Sequence, residues 1–127
     1  MICPDERMNR TFFKENLMSN STAQTIAAQN DDFRLHPNKG TLCLTAGIRA
    51  LGDLCVKEII AKVRGFNNFN ADNDPYGEHD FGAFDYQGQK IFFKIDNYDT
   101  DFLYLSPDVT NPRVTNKVLT VMLAEEY

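Results

Sequence analysis

The chain has 127 residues, a formal net charge of −5 and 43% hydrophobic residues. This length predicts one domain with a modest core, since a chain of this size buries about two thirds of its unfolded surface. No apolar run reaches the roughly 18 residues that a membrane helix needs, and no signal-like segment is present, so a cytoplasmic protein is expected. Cys3, Cys43 and Cys55 are odd in number and lack a Cys-x-x-Cys spacing, which predicts free thiols.

The N-terminal half predicts two helices around a short strand. Residues 1–20 have no clear period and are interpreted as an appendage to a single domain over residues 21–127. A capping box predicts a helix over residues 22–32, and a short apolar run predicts a buried strand over residues 41–45. Apolar residues at steps of three or four then predict an amphipathic helix over residues 46–64.

The C-terminal half predicts most of a sheet. Residues 81–86 and 89–97 should form an antiparallel hairpin, because a glycine between them can supply the positive φ of a tight turn. Residues 102–105 predict another strand. Residues 112–126 suit either a strand or a helix, and Asn111 followed by a proline favours a terminal helix. The expected fold is α+β, with a small antiparallel sheet, made of the hairpin and flanking strands, covered by amphipathic helices.

The hairpin register predicts a set of candidate catalytic residues. Pairing Asp85 with Lys90 places His79 opposite Asp96, with Lys94 one step along the same face. Asp96 would then orient His79 as a general base, and Lys94 could stabilise developing negative charge. No serine or cysteine nucleophile can be placed beside them from the sequence.

The centre of the chain is acidic. Residues 65–111 contain nine acids and two lysines, a net charge of −7, whereas the remaining residues sum to +2. Such a surface attracts cations and basic protein patches and repels phosphates, so a protein partner with a basic surface is expected and direct binding to nucleic acid is not. The alternative is that these charges only solvate turns.

The acidic charge is densest in a predicted turn. Asp74, Pro75 and Gly77 occupy the first, second and fourth positions that a type I turn favours. The residues predicted to form a binding surface lie in or near this turn. They are Asp72, Asp74, Tyr76, Glu78, Asp80 and Asp99.

The same turn could hold a divalent cation. An EF-hand is disfavoured because Ala83 stands where the bidentate acid belongs, but Mg²⁺ or Mn²⁺ needs only a few converging carboxylates. The candidate ligands are Asp72, Asp74, Glu78, His79 and Asp80. The sequence requires no cofactor, and Mg²⁺, Mn²⁺ or Ca²⁺ is the ion expected if one binds. The structural alternative is that the carboxylates cap amides of an ordered loop.

Several motifs match a known family in order. They are the segment Asp-Asn-Asp-Pro-Tyr-Gly-Glu-His-Asp-Phe-Gly of residues 72–82, and residues 26–34, 93–99, 106–108 and 117–127. With these motifs the chain resembles, over about residues 22–127, a bacterial family of small proteins catalogued as a domain of unknown function, number 3768. The resemblance implies a setting on plasmids and other mobile elements. It implies no mechanism and no catalytic residue.

Two functional classes remain open. The leading hypothesis is a non-enzymatic binding or inhibitory module that presents its acidic centre to a basic macromolecule, for example by imitating nucleic acid to inhibit a host defence system. The alternative is a divalent-metal-dependent hydrolase of phosphate esters. Binding predicts exposed acids on a convex face, whereas catalysis predicts carboxylates that converge in a concave pocket with His79 at its wall.

Overall fold

The described chain contains three helices and four strands. The computed structural model describes residues 20–127, so the predicted appendage lies outside the described residues except for Asn20. The elements are helix α1 (Asn20–Leu35), strand β1 (Thr41–Leu44), helix α2 (Ala46–Arg49), helix α3 (Asp53–Gly65), strand β2 (Phe81–Tyr86), strand β3 (Gln89–Tyr98) and strand β4 (Asn116–Leu123).

The strands form one sheet in the order β1-β4-β3-β2. Strands β2 and β3 form the predicted hairpin in the predicted register, with Asp85 opposite Lys90 and Phe81 opposite Lys94. Strand β4 pairs antiparallel with β3 and parallel with β1. The α+β fold is therefore confirmed, with a sheet that is mixed rather than wholly antiparallel.

The prediction of a terminal helix over residues 112–126 is wrong. Asn111 does accept a hydrogen bond from the amide of Arg113, but this cap begins only the 3-10 turn Pro112–Val114. The residues that follow form β4, in which Val118 through Leu123 are all buried. A strand at the centre of a sheet is apolar on both faces, and its short apolar run cannot be told from a buried helix by periodicity alone.

Two further element predictions need correction. Residues 102–105 do not form a strand, and only Leu105 makes an isolated bridge, to Tyr98. The helix expected over residues 46–64 is divided into α2 and α3 at Gly52, whose φ is +97°. A backbone in this region cannot continue a right-handed helix, and glycine reaches it without a steric penalty.

The main core lies between one face of the sheet and the helices, as predicted. Ile59 and Val63 of α3, Ile48 of α2 and Phe33 of α1 belong to one buried cluster with Phe93, and further sheet residues complete it. Phe33, Ile48, Ile59, Val63 and Phe93 are each at most 2% exposed. Burying such side chains stabilises the fold by about 1.5–3 kcal/mol each before entropy is counted.

The thiols in the described range are free. Cys43 is buried and Cys55 is half-buried, whereas Cys3 lies outside the described residues. No helix within residues 20–127 is both long enough and apolar enough to cross a membrane.

Candidate functional site

The predicted turn forms around Asp74. The amide of Gly77 donates to the Asp74 carbonyl at 3.1 Å, which closes the turn, and Gly77 has a φ of +70°. The Asp74 carboxylate accepts hydrogen bonds from the amides of Glu78 at 3.0 Å and His79 at 3.2 Å. Asp74 is 7% exposed. Its carboxylate therefore satisfies backbone donors inside the fold, which is the structural role that short acidic side chains take in turns.

The predicted pair of His79 and Asp96 does not form. The hairpin ladder ends at Phe81, and His79 has a φ of +55°, which turns the chain away from β3. His79 Nδ1 lies 2.9 Å from Oδ1 of Asp31 on α1. Its ring stacks on Phe69, with 4.0 Å between the ring centroids and 3° between the planes. His79 is thus positioned by a helix 48 residues away in sequence, rather than by the neighbouring strand.

The three candidate catalytic residues lie on two sides of the sheet. Lys94 Nζ is 4.0 Å from Asp96 Oδ2, and both side chains are buried. Successive side chains of a strand point to opposite faces, so Phe93 lies on the other face from this pair. Phe69, which stacks on His79, also contacts Phe93. His79 therefore lies on the Phe93 side, and the sheet separates it from the pair of Lys94 and Asp96.

An arginine from α1 connects this loop to α3. Arg34 donates to the carbonyls of Val63 at 3.0 Å and Phe66 at 2.8 Å, at the C-terminal end of α3, where a positive charge is favourable. It also forms an ion pair with Asp31 at 2.5 Å and lies over the Phe69 ring at 5.1 Å. Asp31 thus binds both Arg34 and His79, which fixes the loop before the hairpin against two helices.

A half-buried lysine completes the polar network. Lys117 Nζ donates to the side-chain oxygens of Asn30 and Asn97, each at 2.7 Å, and Asn30 donates to the carbonyl of Glu78 at 2.9 Å. Burial lowers the pKa of Lys117 to about 8, against the attraction of Glu78 and Asp80, which raises it. These carboxylates therefore act as counter-charges to a partly desolvated ammonium group.

The six residues predicted to form a binding surface differ in exposure. Asp74, Glu78 and Asp80 are buried, at 7%, 3% and 6% exposed. Asp72 and Tyr76 are exposed, and Asp99 is half-buried. Four acids of residues 65–111 are exposed, and only Asp72 among them belongs to the predicted surface. The other three are Asp85, Asp101 and Asp108.

Two of the candidate metal ligands lie close together, with 3.8 Å between His79 Nε2 and Asp74 Oδ2. Asp74 is occupied by backbone amides, and Asp72 is exposed while Glu78 and Asp80 are buried. Across residues 20–127, His, Cys, Asp and Glu side chains form no group of three or more that could hold a metal ion. A cleft of about 320 Å³ opens beside Lys117, and its lining does not include His79.

The residues that organise the site lie in the family motifs 26–34 and 117–127, but none of them was among the candidate site residues. Asn30, Asp31, Arg34 and Lys117 all lie outside the acidic segment. One signal for two of them was present, because Asn30 and Arg34 share a helical stripe with Ile26 and Phe33, at steps of three or four. Polar residues on an apolar stripe indicate buried hydrogen bonding, since an unpaired buried polar group is costly.

The comparisons with known proteins identify a family. The model of DUF3768, described as a protein of unknown function, matches residues 44–126. The chain belongs to this family. Searches of curated proteins and of solved structures gave no match.

Proposed function

We propose that this DUF3768 protein is a non-enzymatic binding module that presents acidic side chains to a basic surface of another macromolecule. The observation that carries this proposal is the division of the central acids into two groups. Of the nine, four are buried and Asp99 is half-buried, whereas Asp72, Asp85, Asp101 and Asp108 are exposed. In residues 65–111, Lys90 is exposed and forms an ion pair with Asp85 at 3.4 Å, and Lys94 is buried, so the exposed charges of this segment sum to −3.

The buried group supports the proposal because its charges are used inside the fold. Asp74 caps two amides, and Glu78 and Asp80 lie in the field of Lys117. Buried charges are tolerated when they are paired, and the basic partner here comes from outside the acidic segment. The catalytic alternative asks the same residues to converge on a substrate, and the separation of His79 from Lys94 and Asp96 gives it no support.

The partner class that we propose is a protein with a nucleic-acid-binding surface. Exposed carboxylates resemble backbone phosphates in charge, and complementary fields raise the rate of association. The proposal includes the setting that the family resemblance implies, a bacterial mobile element whose product acts in the cytoplasm to inhibit a host system.

Binding to a lysine-rich peptide tests the proposal. The wild-type protein should bind the peptide, and the affinity should fall as salt is added. A triple variant, Asp72→Asn, Asp101→Asn and Asp108→Asn, should weaken binding about tenfold, because rim charges each contribute up to about 1 kcal/mol. The matched control is Asp32→Asn, Asp53→Asn and Glu125→Gln, which removes three exposed acids outside residues 65–111.

The outcomes separate the two classes of function. Equal weakening by both triple variants would indicate attraction to net charge alone and contradict a defined surface. Saturable binding of Mn²⁺ that is lost in Glu78→Gln, His79→Ala would contradict the proposal in favour of the metal-dependent hydrolase.

A further inference from the structure

A loop at the end of the sheet displays three consecutive large apolar side chains. Phe102, Leu103 and Tyr104 are 41%, 70% and 72% exposed. Single exposed apolar residues are ordinary, but a contiguous group on a protein surface marks an interaction site. We call residues 99–104 the apolar loop.

The apolar loop is held in one conformation by its first residue. The Asp99 carboxylate accepts hydrogen bonds from the amides of Asp101 and Leu103, each at 3.1 Å. The Asp99 amide donates to the Tyr104 carbonyl at 2.8 Å, which closes the loop. Asn116 of β4 donates to the Asp99 carbonyl at 3.1 Å and so fixes the loop to the sheet. A loop that is ordered before binding loses less conformational entropy on binding.

The backbone at the tip is strained. Phe102 has a φ of +59°, a region that bulky residues adopt only when their surroundings enforce it. Its ring lies 6.2 Å from the ring of Tyr98, which is buried. Strained backbone conformations concentrate at ligand-binding positions. After this turn of the backbone, the side chains of Leu103 and Tyr104 are exposed to solvent.

The charges around the apolar loop define what it can bind. Residues 96–112 contain four aspartates and no lysine, arginine or histidine, and the exposed Arg113 follows them. Asp101 is exposed beside the apolar side chains, and Asp108 is exposed after the loop. An anionic lipid surface would repel these acids. A second copy of the chain would present the same acids in a symmetric contact.

We propose that the apolar loop is the anchor of the binding surface, and that Leu103 and Tyr104 insert into an apolar patch rimmed by lysine or arginine on a protein partner. This inference rests on the proposed function and names the centre of its interface. Aromatic and other large apolar residues at the centre of an interface carry most of its affinity, and the charged rim supplies orientation.

Three designed peptides serve as probes. The first is a helix with a leucine face rimmed by lysines, the second keeps the lysines but replaces the leucines by serine, and the third replaces the lysines by glutamate. Wild-type protein should bind the first peptide at least about tenfold more tightly than either of the others, measured by fluorescence anisotropy.

Matched variants locate the contact. The double variant Leu103→Ser, Tyr104→Ser should bind the first peptide about tenfold or more weakly. Leu54→Ser is the control, because Leu54 is also 70% exposed but lies on α3. It should bind as the wild type does. The hydrogen bonds that hold the loop use backbone atoms of residues 103 and 104, so the double variant should keep the wild-type circular dichroism and melting temperature.

Each other outcome overturns the inference. Unchanged binding by the double variant, with loss in the triple aspartate variant, would overturn the apolar anchor and leave the proposed function standing. Failure of wild type to bind either lysine peptide would overturn both. Self-association in sedimentation, or binding to phosphatidylcholine or phosphatidylserine vesicles, that the double variant abolishes would assign the loop to a second copy or to a membrane instead.

Discussion

The loop around Asp74 and the apolar loop around Asp99 have the same local backbone hydrogen bonding but differ in which side chains they bury. In each, an aspartate accepts two backbone amides, and in each a residue other than glycine has a positive φ, His79 at +55° and Phe102 at +59°. Around Asp74 the polar side chains turn inwards. Around Asp99 the apolar side chains turn outwards. The comparison shows that local turn chemistry sets the path of the backbone, while distant residues decide what the turn buries.

The largest predicted effect is a difference between Asp74 and Asp99 in their contribution to the free energy of unfolding. Asp74→Ala leaves two amides without an acceptor in a buried place, so we expect a loss of about 3 kcal/mol in the free energy of unfolding, measured by urea denaturation. Asp99→Ala should lose about 1 kcal/mol, because Asp99 is half-buried and water can replace the acceptor. Asp74→Asn keeps an acceptor oxygen and serves as the control. Equal losses for Asp74→Ala and Asp99→Ala would contradict the comparison.

The sequence predicted the turns better than their surroundings. The Asp74 turn and the hairpin register follow from residues close to each other in the chain, and both are confirmed. The partner of His79 is Asp31, which no local pattern could indicate. Burial of Glu78 and Asp80 depends on α1 and β4 in the same way. Strand β4 was missed because its pairing with β1 joins distant segments, and such pairing overrides a local helical pattern.

The next effect concerns the half-buried Lys117 on the Asp74 side. Burial lowers the pKa of Lys117 from its ordinary value of 10.5 to about 8 in the folded protein. Between these pH values the unfolded chain binds more protons, so the free energy of unfolding should rise with pH in this window. The rise should reach about 3 kcal/mol by about pH 10.5, at 1.36 kcal/mol for each pH unit.

Lys117→Met should remove this contribution. We expect the difference between wild type and variant, from denaturation at a series of pH values, to change steadily from about pH 8 to about pH 10.5. A difference that is constant across this range would show that Lys117 has the same proton affinity in both states, which would contradict the desolvation of its ammonium group.

A smaller effect compares the two positions of positive φ. Glycine relieves about 1 kcal/mol of strain at either position. His79→Gly also loses the bond to Asp31 and the stacking on Phe69, whereas Phe102→Gly loses a side chain that is 41% exposed. We therefore expect His79→Gly to be less stable than Phe102→Gly by at least about 1 kcal/mol. A lower melting temperature for Phe102→Gly than for His79→Gly would contradict the larger stabilising role that we assign to the contacts of His79.

The smallest effect extends the comparison to a third carboxylate that caps amides. Partial desolvation raises the pKa of Glu126, but hydrogen bonds from Thr45 and from the amides of Leu123 and Gly47 outweigh this effect. The pKa of Glu126 is therefore lowered from its ordinary value. A lowered carboxyl pKa stabilises the fold above the unfolded value and is lost as the pH falls through the folded value. Glu126 is exposed, so Glu126→Gln should lose less than about 1 kcal/mol at pH 7 and almost nothing near pH 3. A larger loss at acid pH than at pH 7 would contradict this assignment.

We propose that the exposed acids and the apolar loop bind the partner, while the polar network around Asp74 stabilises the fold. The most direct test is a titration of the protein with the lysine-rimmed leucine peptide, followed through the backbone amide shifts in NMR spectra. We expect saturable shifts at residues 99–104, at Asp72 and at Asp108, with the amides of Glu78, His79 and Asp80 unchanged. Shifts concentrated at residues 74–80, with residues 99–104 unaffected, would contradict the account.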